Sequence, residues 1–446
     1  MLKFFFWLKY LCKWRVVLLS VAAVALSVSL LIVVASLFTG FIEAVQGGAV
    51  DVVGDVVLAA PAAIERYPDF IERLEETELV TAATGTLSAQ GLLHAGKGNV
   101  HGVTVWGIEP DRRARVTHLK STLLRQATAA QAPCFDVPGA AAETGGFVGI
   151  GIVADPDETT DEYDREAVLA EMIGQRVFVT TGTIVEAQNA DGTPKRKLIP
   201  FTIADIVYAG VYEFDEGFVY VPIKVLQEAL YPRREGDLAT SISIKLASGV
   251  DPQQAVAQIR GLWRVFAGEE LGWDAYRIAV TEVITARQMQ AQYVVELRKQ
   301  MGVLLLIFGV ISFSVVVLVF CIFYMIVKLK QKDVAILKSC GVGGFSVAWI
   351  FLGFGTVVGL AGAGIGTVLG YVITRNINTV EEWIRIALGL KLWQSSVYMF
   401  SRIPNQVDWA SALPIVALAV AAASLGALLP AILAAWTKPV QILRYE

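Results

Sequence analysis

Charge is missing from four long stretches of this 446-residue chain: Val16 to Phe38, Gly302 to Val327, Phe345 to Thr374 and Ala412 to Trp436 contain no Asp, Glu, Lys or Arg. Each exceeds the ~20 helical residues needed to cross a hydrocarbon core of ~30 Å. In lipid such a run must be helical, because only a helix satisfies its own backbone groups there. A barrel would need alternating ten-residue strands, and the sequence has none. The missing charge also argues against a proton- or ion-coupled carrier, which places ionisable groups inside its spans. Energy for any transport must then come from outside this chain.

Cysteine and histidine are scarce. Of four cysteines (Cys12, Cys134, Cys321, Cys340), only Cys134 falls outside both the spans and the predicted cytoplasmic segments, so the large domain has no internal disulfide and relies on its core. The three histidines, His94, His101 and His118, share no i, i+4 spacing and have no cysteine partner, which argues against zinc. No Gly-x-Ser-x-Gly elbow occurs. A nucleotide loop needs G-x-x-x-x-G-K-[ST] between a strand and a helix; Gly91 to Gly98 comes nearest, but Gly98 replaces the Mg²⁺-holding hydroxyl. We read it as a coincidental turn.

What the chain does have is apolar surface and asymmetric charge. Apolar residues make up 55% and charged ones 17%, well above a soluble mix. The first apolar run follows Lys3, Lys9, Lys13 and Arg15, yet it outlasts a secretory h-region of about 7–15 residues and ends without an Ala-x-Ala site, so it reads as a retained anchor. Basic flanks orient the spans. Lys328, Lys330, Lys332 and Lys338 face one acid, Asp333, between the second and third runs, and Lys438 and Arg444 follow the fourth. Both termini and the middle link are therefore expected in the cytoplasm. Segment 40–300 carries 23 Lys and Arg against 36 Asp and Glu, a net of −13, and is expected outside it. Acidity of that size argues against nucleic acid.

The expected organisation is a cytoplasmic segment (1–15), a first span (16–38), a large extracytoplasmic domain (39–301), a second span (302–327), a cytoplasmic link (328–344), a third span (345–374), a short outer loop (375–411), a fourth span (412–436) and a cytoplasmic tail (437–446). The large domain is predicted to be α+β, with two βαβ-like halves. The first half reads as strand Asp55–Leu58, helix Ala62–Glu76 and strand Leu79–Thr86. The second reads as strand Ser241–Leu246, a helix capped by Asp251 with Pro252 at its first position, and strand Tyr276–Val283. Between them, about 100–240, lies a β-rich insertion with strands near Val103–Trp106, Arg176–Thr180 and Phe201–Ala204. Asn189–Gly192 reads as a turn, and the acidic run Asp155 to Glu166 as a solvated loop.

Two patterns stand out as functional candidates. The link Asp333, Val334, Ala335, Ile336, Leu337, Lys338, Gly341 reads as a short amphipathic helix with Val334, Leu337 and Gly341 on one side and a glycine stop. It is either an interfacial helix resting on membrane lipids or a knob that docks into a partner. The third span carries Gly355 and Gly359 as one small-xxx-small pair, and Gly362, Gly366 and Gly370 as a second ridge. Such ridges let helices approach closely, for a moving pair or for static packing alike.

Lys332 to Gly341 resembles the "E-I-A-I-L-R-x-x-G" signature after the second span of the FtsX/MacB-like ABC permeases. Pro430-Ala431 with Lys438 to Glu446 is similar to the "P-A…P-x-x-x-L-R-Y-E" ending of the LolC/LolE lipoprotein-releasing branch. So are Val397 to Pro404, Tyr208 to Asp215 and Gly107-Ile108-Glu109-Pro110. The insertion from Ala127 to Asp164 fits no motif of that family. The resemblance covers essentially the whole chain and implies a MacB-like core domain followed by an FtsX-like permease domain at 302–446.

It also implies a non-catalytic permease on a dimer of ABC ATPase subunits, paired with a second copy or a paralogue. The chain itself would bind no cofactor, with ATP and Mg²⁺ held by the partner. A lipoprotein would be drawn from the outer leaflet of the inner membrane and passed to a periplasmic carrier, along a surface between spans one and two. Phe38, Phe41, Ile42, Leu304, Leu305 and Phe308 are the candidates for it, with plain packing as the alternative for each. Other readings are a MacB-like mechanotransmission permease for export, a cell-division FtsX (whose external domain is much smaller), and an anchored sensor or adhesion protein.

Overall fold

The computed structural model describes residues 15–96, 100–140, 143–157, 162–182, 196–234, 236–388, 393 and 403–436. The basic N-terminal flank before Arg15, Lys97-Gly98, part of the acidic run, the Asn189–Gly192 turn, Val397–Arg402 and the C-terminal motif at Lys438–Glu446 lie outside the described residues. In chain order the main elements are helix α1 (Arg15–Val53), β1 (Val56–Glu65), α2 (Tyr67–Glu75), β2 (Val80–His94), β3 (Val100–Ile108), α3 (Pro110–Val116), β4 (Gly145–Gly149), β5 (Arg176–Gly182), β6 (Arg196–Val207), β7 (Phe218–Pro222), β8 (Leu238–Leu246), α4 (Pro252–Glu269), β9 (Glu282–Thr285), α5 (Ala291–Leu329), α6 (Gln331–Ser339), α7 (Gly344–Arg375), α8 (Ile377–Leu388) and α9 (Trp409–Trp436). The described residues divide into two compact units, one of residues 15–43, 293–388 and 403–436, the other within 44–292.

In the large unit, β9, β1, β8 and β2 lie side by side in that order. β8 runs antiparallel to both β1 and β2, and β9 antiparallel to β1. Two βαβ halves therefore interleave, each strand of one half lying beside strands of the other. Helices α2 and α4 meet through aromatic rings: Phe70 packs edge-on against Trp263 at 5.3 Å and tilts against Phe266 at 5.0 Å, all three fully buried. Such contacts add about 0.5–1.5 kcal/mol per pair beyond area burial.

The insertion is a closed ring. β2 pairs with β3, β3 with β7, β7 with β4, β4 with β6, β6 with β5, and β5 with β2 again. Closure removes free edges, so among the described residues the ring presents no open strand for unwanted pairing. Its interior is filled by Val105, Val148, Val179, Ile203 and Val219, each 0% exposed, while Phe147 points to the opposite face, among Leu119, Leu123 and Tyr220.

Two expectations are corrected here. Ala62–Glu65 is strand, not helix, and α2 starts only at Tyr67. The pairing of β1 with β8 breaks between Ala59 and Ile64, where Pro61 has no N–H to donate, and Arg66 then turns the chain at φ 54°. Tyr276–Val280 is a helical turn (Ala275–Val280) rather than strand, because the Asp274 carboxylate caps the Arg277 N–H at 2.8 Å; strand resumes at Glu282. At the helix after β8, Asp251 does accept from the Gln253 N–H with Pro252 at the first position.

Among the described residues, four helices are long and apolar enough to cross a membrane, at Val17–Val53, Tyr293–Leu329, Gly344–Arg375 and Trp409–Trp436.

Candidate functional site

In the helical unit, the packing of the third span is set by its glycines. A Cβ on Gly355 would strike Ala427, and one on Gly359 would lie 2.9 Å from Ala423 Cβ. The second ridge turns to a different neighbour: a Cβ on Gly362 would meet Val24 Cβ at 2.7 Å, on Gly366 the Ala25 carbonyl at 2.6 Å, and on Gly370 Ile32 Cβ at 3.1 Å. One helix thus offers one glycine face to α9 and another to α1. Polar side chains add adhesion where lipid supplies no hydrophobic drive. Thr356 and Ser424 hydroxyls pair at 3.0 Å between α7 and α9, and Ser27 and Ser312 at 2.9 Å between α1 and α5.

Helix α6, between the second and third spans, is fixed on one side and open on the other. Val334 and Ala335 are buried, Val334 among Val327, Val347 and Ala434. Lys338 Nζ donates to the Ala435 carbonyl at 2.7 Å, placing a cation at the C-terminal end of α9. Gly341, at φ 92°, ends the helix: its N–H reaches the Lys338 carbonyl at 3.1 Å, and the Val342 N–H the Leu337 carbonyl at 3.2 Å, the paired bonds of a Schellman stop. The open side carries Ile336 (53% exposed) and Leu337 (47%), flanked by exposed Lys332 and by Asp333, which pairs with Lys330 at 2.6 Å. Of the side the spacing predicts, Val334 is buried and Leu337 half exposed; adjacent Ile336 and Leu337 make the exposed apolar knob.

A cavity of about 420 Å³ opens between α1, α5 and α9, walled by Val24, Val28, Leu31, Leu305, Phe313 and Ile415 among others. Of the six predicted substrate contacts, only Leu305 lines it. Phe41 and Ile42 are buried, and Phe38, Leu304 and Phe308 are half-buried without reaching the cavity wall.

In the large unit the sequence motifs mark buried polar anchors. Tyr208–Asp215 is a loop running into the short helix Tyr212–Gly217 and tied back by it: the Asp215 carboxylate, 3% exposed, accepts from the Ala209 N–H at 2.6 Å and the Gly210 N–H at 2.9 Å. Burial pushes its pKa up to about 7 against the pull of those donors and of Arg165. Glu109 accepts from the Tyr67 hydroxyl at 2.9 Å. The composition gave no sign of Arg113, which is 2% exposed. It donates to Thr86 Oγ1 at 2.6 Å and to the Val52 carbonyl at 2.7 Å, with its guanidinium 4.7 Å from the Trp106 ring centroid. Desolvation lowers its pKa to about 10, so it stays cationic at neutral pH.

The histidines are spread out: His94 stacks on Phe178, and His118 pairs with Asp51 at 2.9 Å. Among the described residues no group of three or more His, Cys, Asp and Glu side chains could hold a metal. The Gly91-Leu-Leu-His segment is strand paired to β3, the wrong context for a phosphate loop, which must open a helix.

Comparison with known proteins finds two families along the chain. Residues 17–262 match the MacB-like periplasmic core domain family, and residues 305–439 the FtsX-like permease C-terminal family. The chain is 29% identical over 445 residues to the lipoprotein-releasing system transmembrane protein LolC of Neisseria meningitidis serogroup B, covering 97% of this chain and 94% of that one. It is 32% identical over 140 residues to the corresponding LolE of Haemophilus influenzae, covering 31% of this chain and 33% of LolE. Among solved structures, the periplasmic region of MacB from Actinobacillus actinomycetemcomitans overlaps 55% of this chain and 94% of its own, at 12% identity and a TM-score of 0.32. The chain belongs to the FtsX/MacB-like permeases and is a multi-pass, non-catalytic ABC-type subunit that carries a MacB-like periplasmic core domain.

Proposed function

We propose that this chain sits in the inner membrane and couples ATP hydrolysis by a separate ABC ATPase dimer to the extraction of lipoproteins from the outer leaflet. The observation that carries the coupling is the Ile336–Leu337 knob on α6, apolar and exposed on a link whose lysines favour the cytoplasm. The cargo reading leans on the relatives named for lipoprotein release. Pulling three acyl chains of about 14 CH₂ each from a bilayer costs roughly 30 kcal/mol at about 0.8 kcal/mol per CH₂. An ATP-driven stroke therefore works best with an apolar receiving surface. The cavity beside Leu305 is lined almost wholly by aliphatic and aromatic side chains and suits that role. A second permease copy or a paralogue would complete the complex, and a periplasmic carrier would take the cargo.

The test is copurification with the ABC ATPase subunits of the same cell. Leu337→Glu should abolish recovery of the ATPase while the permease still elutes as a folded species. Retention of the ATPase by that variant would remove the knob from the mechanism. Separately, a photo-crosslinker at Leu305 should capture a triacylated protein; if it captured only phospholipid, the cargo assignment would fall and the coupling assignment would stand.

A further inference from the structure

Helix α8 follows the third span after a single residue, Asn376, and its amphipathic pattern is turned inside out. Part of the polar side faces protein, with Glu382 left exposed at its border. Asn378 Nδ2 donates to the Ile403 carbonyl at 3.1 Å, and its Oδ1 accepts from the Ile403 N–H at 3.0 Å. Arg385, three residues from its ion-pair partner Glu382, leaves only 19% of its side chain exposed, and one Glu381 carboxylate oxygen is buried. The apolar side faces out: Trp383 is 73% exposed, Leu388 67% and Val380 37%, bordering a shallow hollow of about 520 Å³ with Ile384 and Ala387.

In water this arrangement is unfavourable, since an isolated surface helix buries its apolar stripe and solvates its charges. Next to lipid it is the favourable one. The last turns of α7 already present exposed Val368, Val372 and Ile373, and the α8 stripe continues that apolar surface along the chain within a few residues. A tryptophan on the stripe with Glu382 and Arg385 on the other side is the composition of a helix at the headgroup level.

We infer that α8 is an interfacial helix, lying in the headgroup region of the bilayer with Val380, Trp383, Ala387 and Leu388 seated among phospholipid. Its role is mechanical. Fixed in the interface, and bonded through Asn378 to Ile403 in the irregular segment leading to the fourth span, it sets the depth of that end of α7, the helix that carries both glycine faces. The inference stands whatever the cargo.

The experiment uses the full chain in phosphatidylethanolamine and phosphatidylglycerol nanodiscs, with native cysteines replaced and single nitroxide labels at Val380→Cys, Ala387→Cys and Glu382→Cys. Collisions with O₂ relative to a water-soluble Ni(II) chelate should be several-fold more frequent at 380 and 387 than at 382. Equal Ni(II) access at all three positions would place the stripe in water and overturn the inference. So would dipolar broadening at 380 that disappears on dilution with unlabelled protein, because the stripe would then face a second copy. Should a labelled variant fail to fold, wild-type protein and Trp383→Tyr in brominated lipid give a second measurement. The Trp383 difference emission must be quenched, more by bromine near the headgroup than by bromine at the chain end; an unquenched difference spectrum rejects the interfacial placement.

Discussion

Asp215 combines full burial with two backbone donors, and its ionised form is disfavoured in the fold despite them. Its folded pKa of about 7 lies above the ordinary carboxylate value, so the folded state holds a proton that the unfolded chain has already released. The stability it contributes is present at low pH and is lost as pH rises from about 4 to about 7, with a slope on the order of 1 kcal/mol per pH unit. Thermal unfolding of the full chain between pH 5 and pH 8 should therefore show a falling trend that is flatter in Asp215→Asn. Identical slopes in the two proteins would contradict this. Little of this was legible in the sequence. Arg113 sits in the run Asp111-Arg112-Arg113-Ala114-Arg115, and only the fold reveals which arginine turns inward, because Arg112 and Arg115 keep surface carboxylate partners. The weak signal was Pro110 at a helix start followed by buried Val116 and Thr117, which requires one face of that turn to be covered.

At the scale of elements, the glycine faces make a paired prediction. A methyl at Gly366 meets the Ala25 backbone oxygen at 2.6 Å and Val28 Cβ at 2.8 Å, and backbone cannot yield cheaply. Gly364, two residues away on the same helix, has nothing within 4 Å. Gly366→Ala should destabilise the helical unit by about 1–3 kcal/mol and Gly364→Ala should change little, as read from melting temperatures in detergent. Equal losses would mean that helix propensity rather than close approach governs the third span. The four spans were readable because a charge-free run of that length has one structural solution in lipid. The side on which each glycine ridge packs was not, since small-xxx-small spacing reports closeness without naming the neighbour. The same limit applies to α6: lysines and the glycine stop were visible, while the burial of Val334 depends on Val347 and Ala434, far away in the chain. The misread start of α2 has a local cause, since Pro61 interrupts a strand whose remaining residues suit a helix equally well.

For the molecule as a whole, the sequence made the alternation of strands evident but not the ring, because closure rests on pairings between segments about 90 residues apart, such as Leu92 with Thr180. Strand β2 belongs to both parts of the large unit. Its first half, Val80–Thr86, is bonded to β8, and its second, Leu87–His94, to β3 and β5. Hydrogen exchange should accordingly give the β2 amides bonded to β8 and those bonded to β3 and β5 the same protection, released only on global opening; distinct rates would show that the two parts open separately. A spine shared in this way behaves like a beam cast through two rooms of one building. Neither room can shear past the other without snapping a row of backbone bonds, so any flexing this machine performs must be located where no strand runs through.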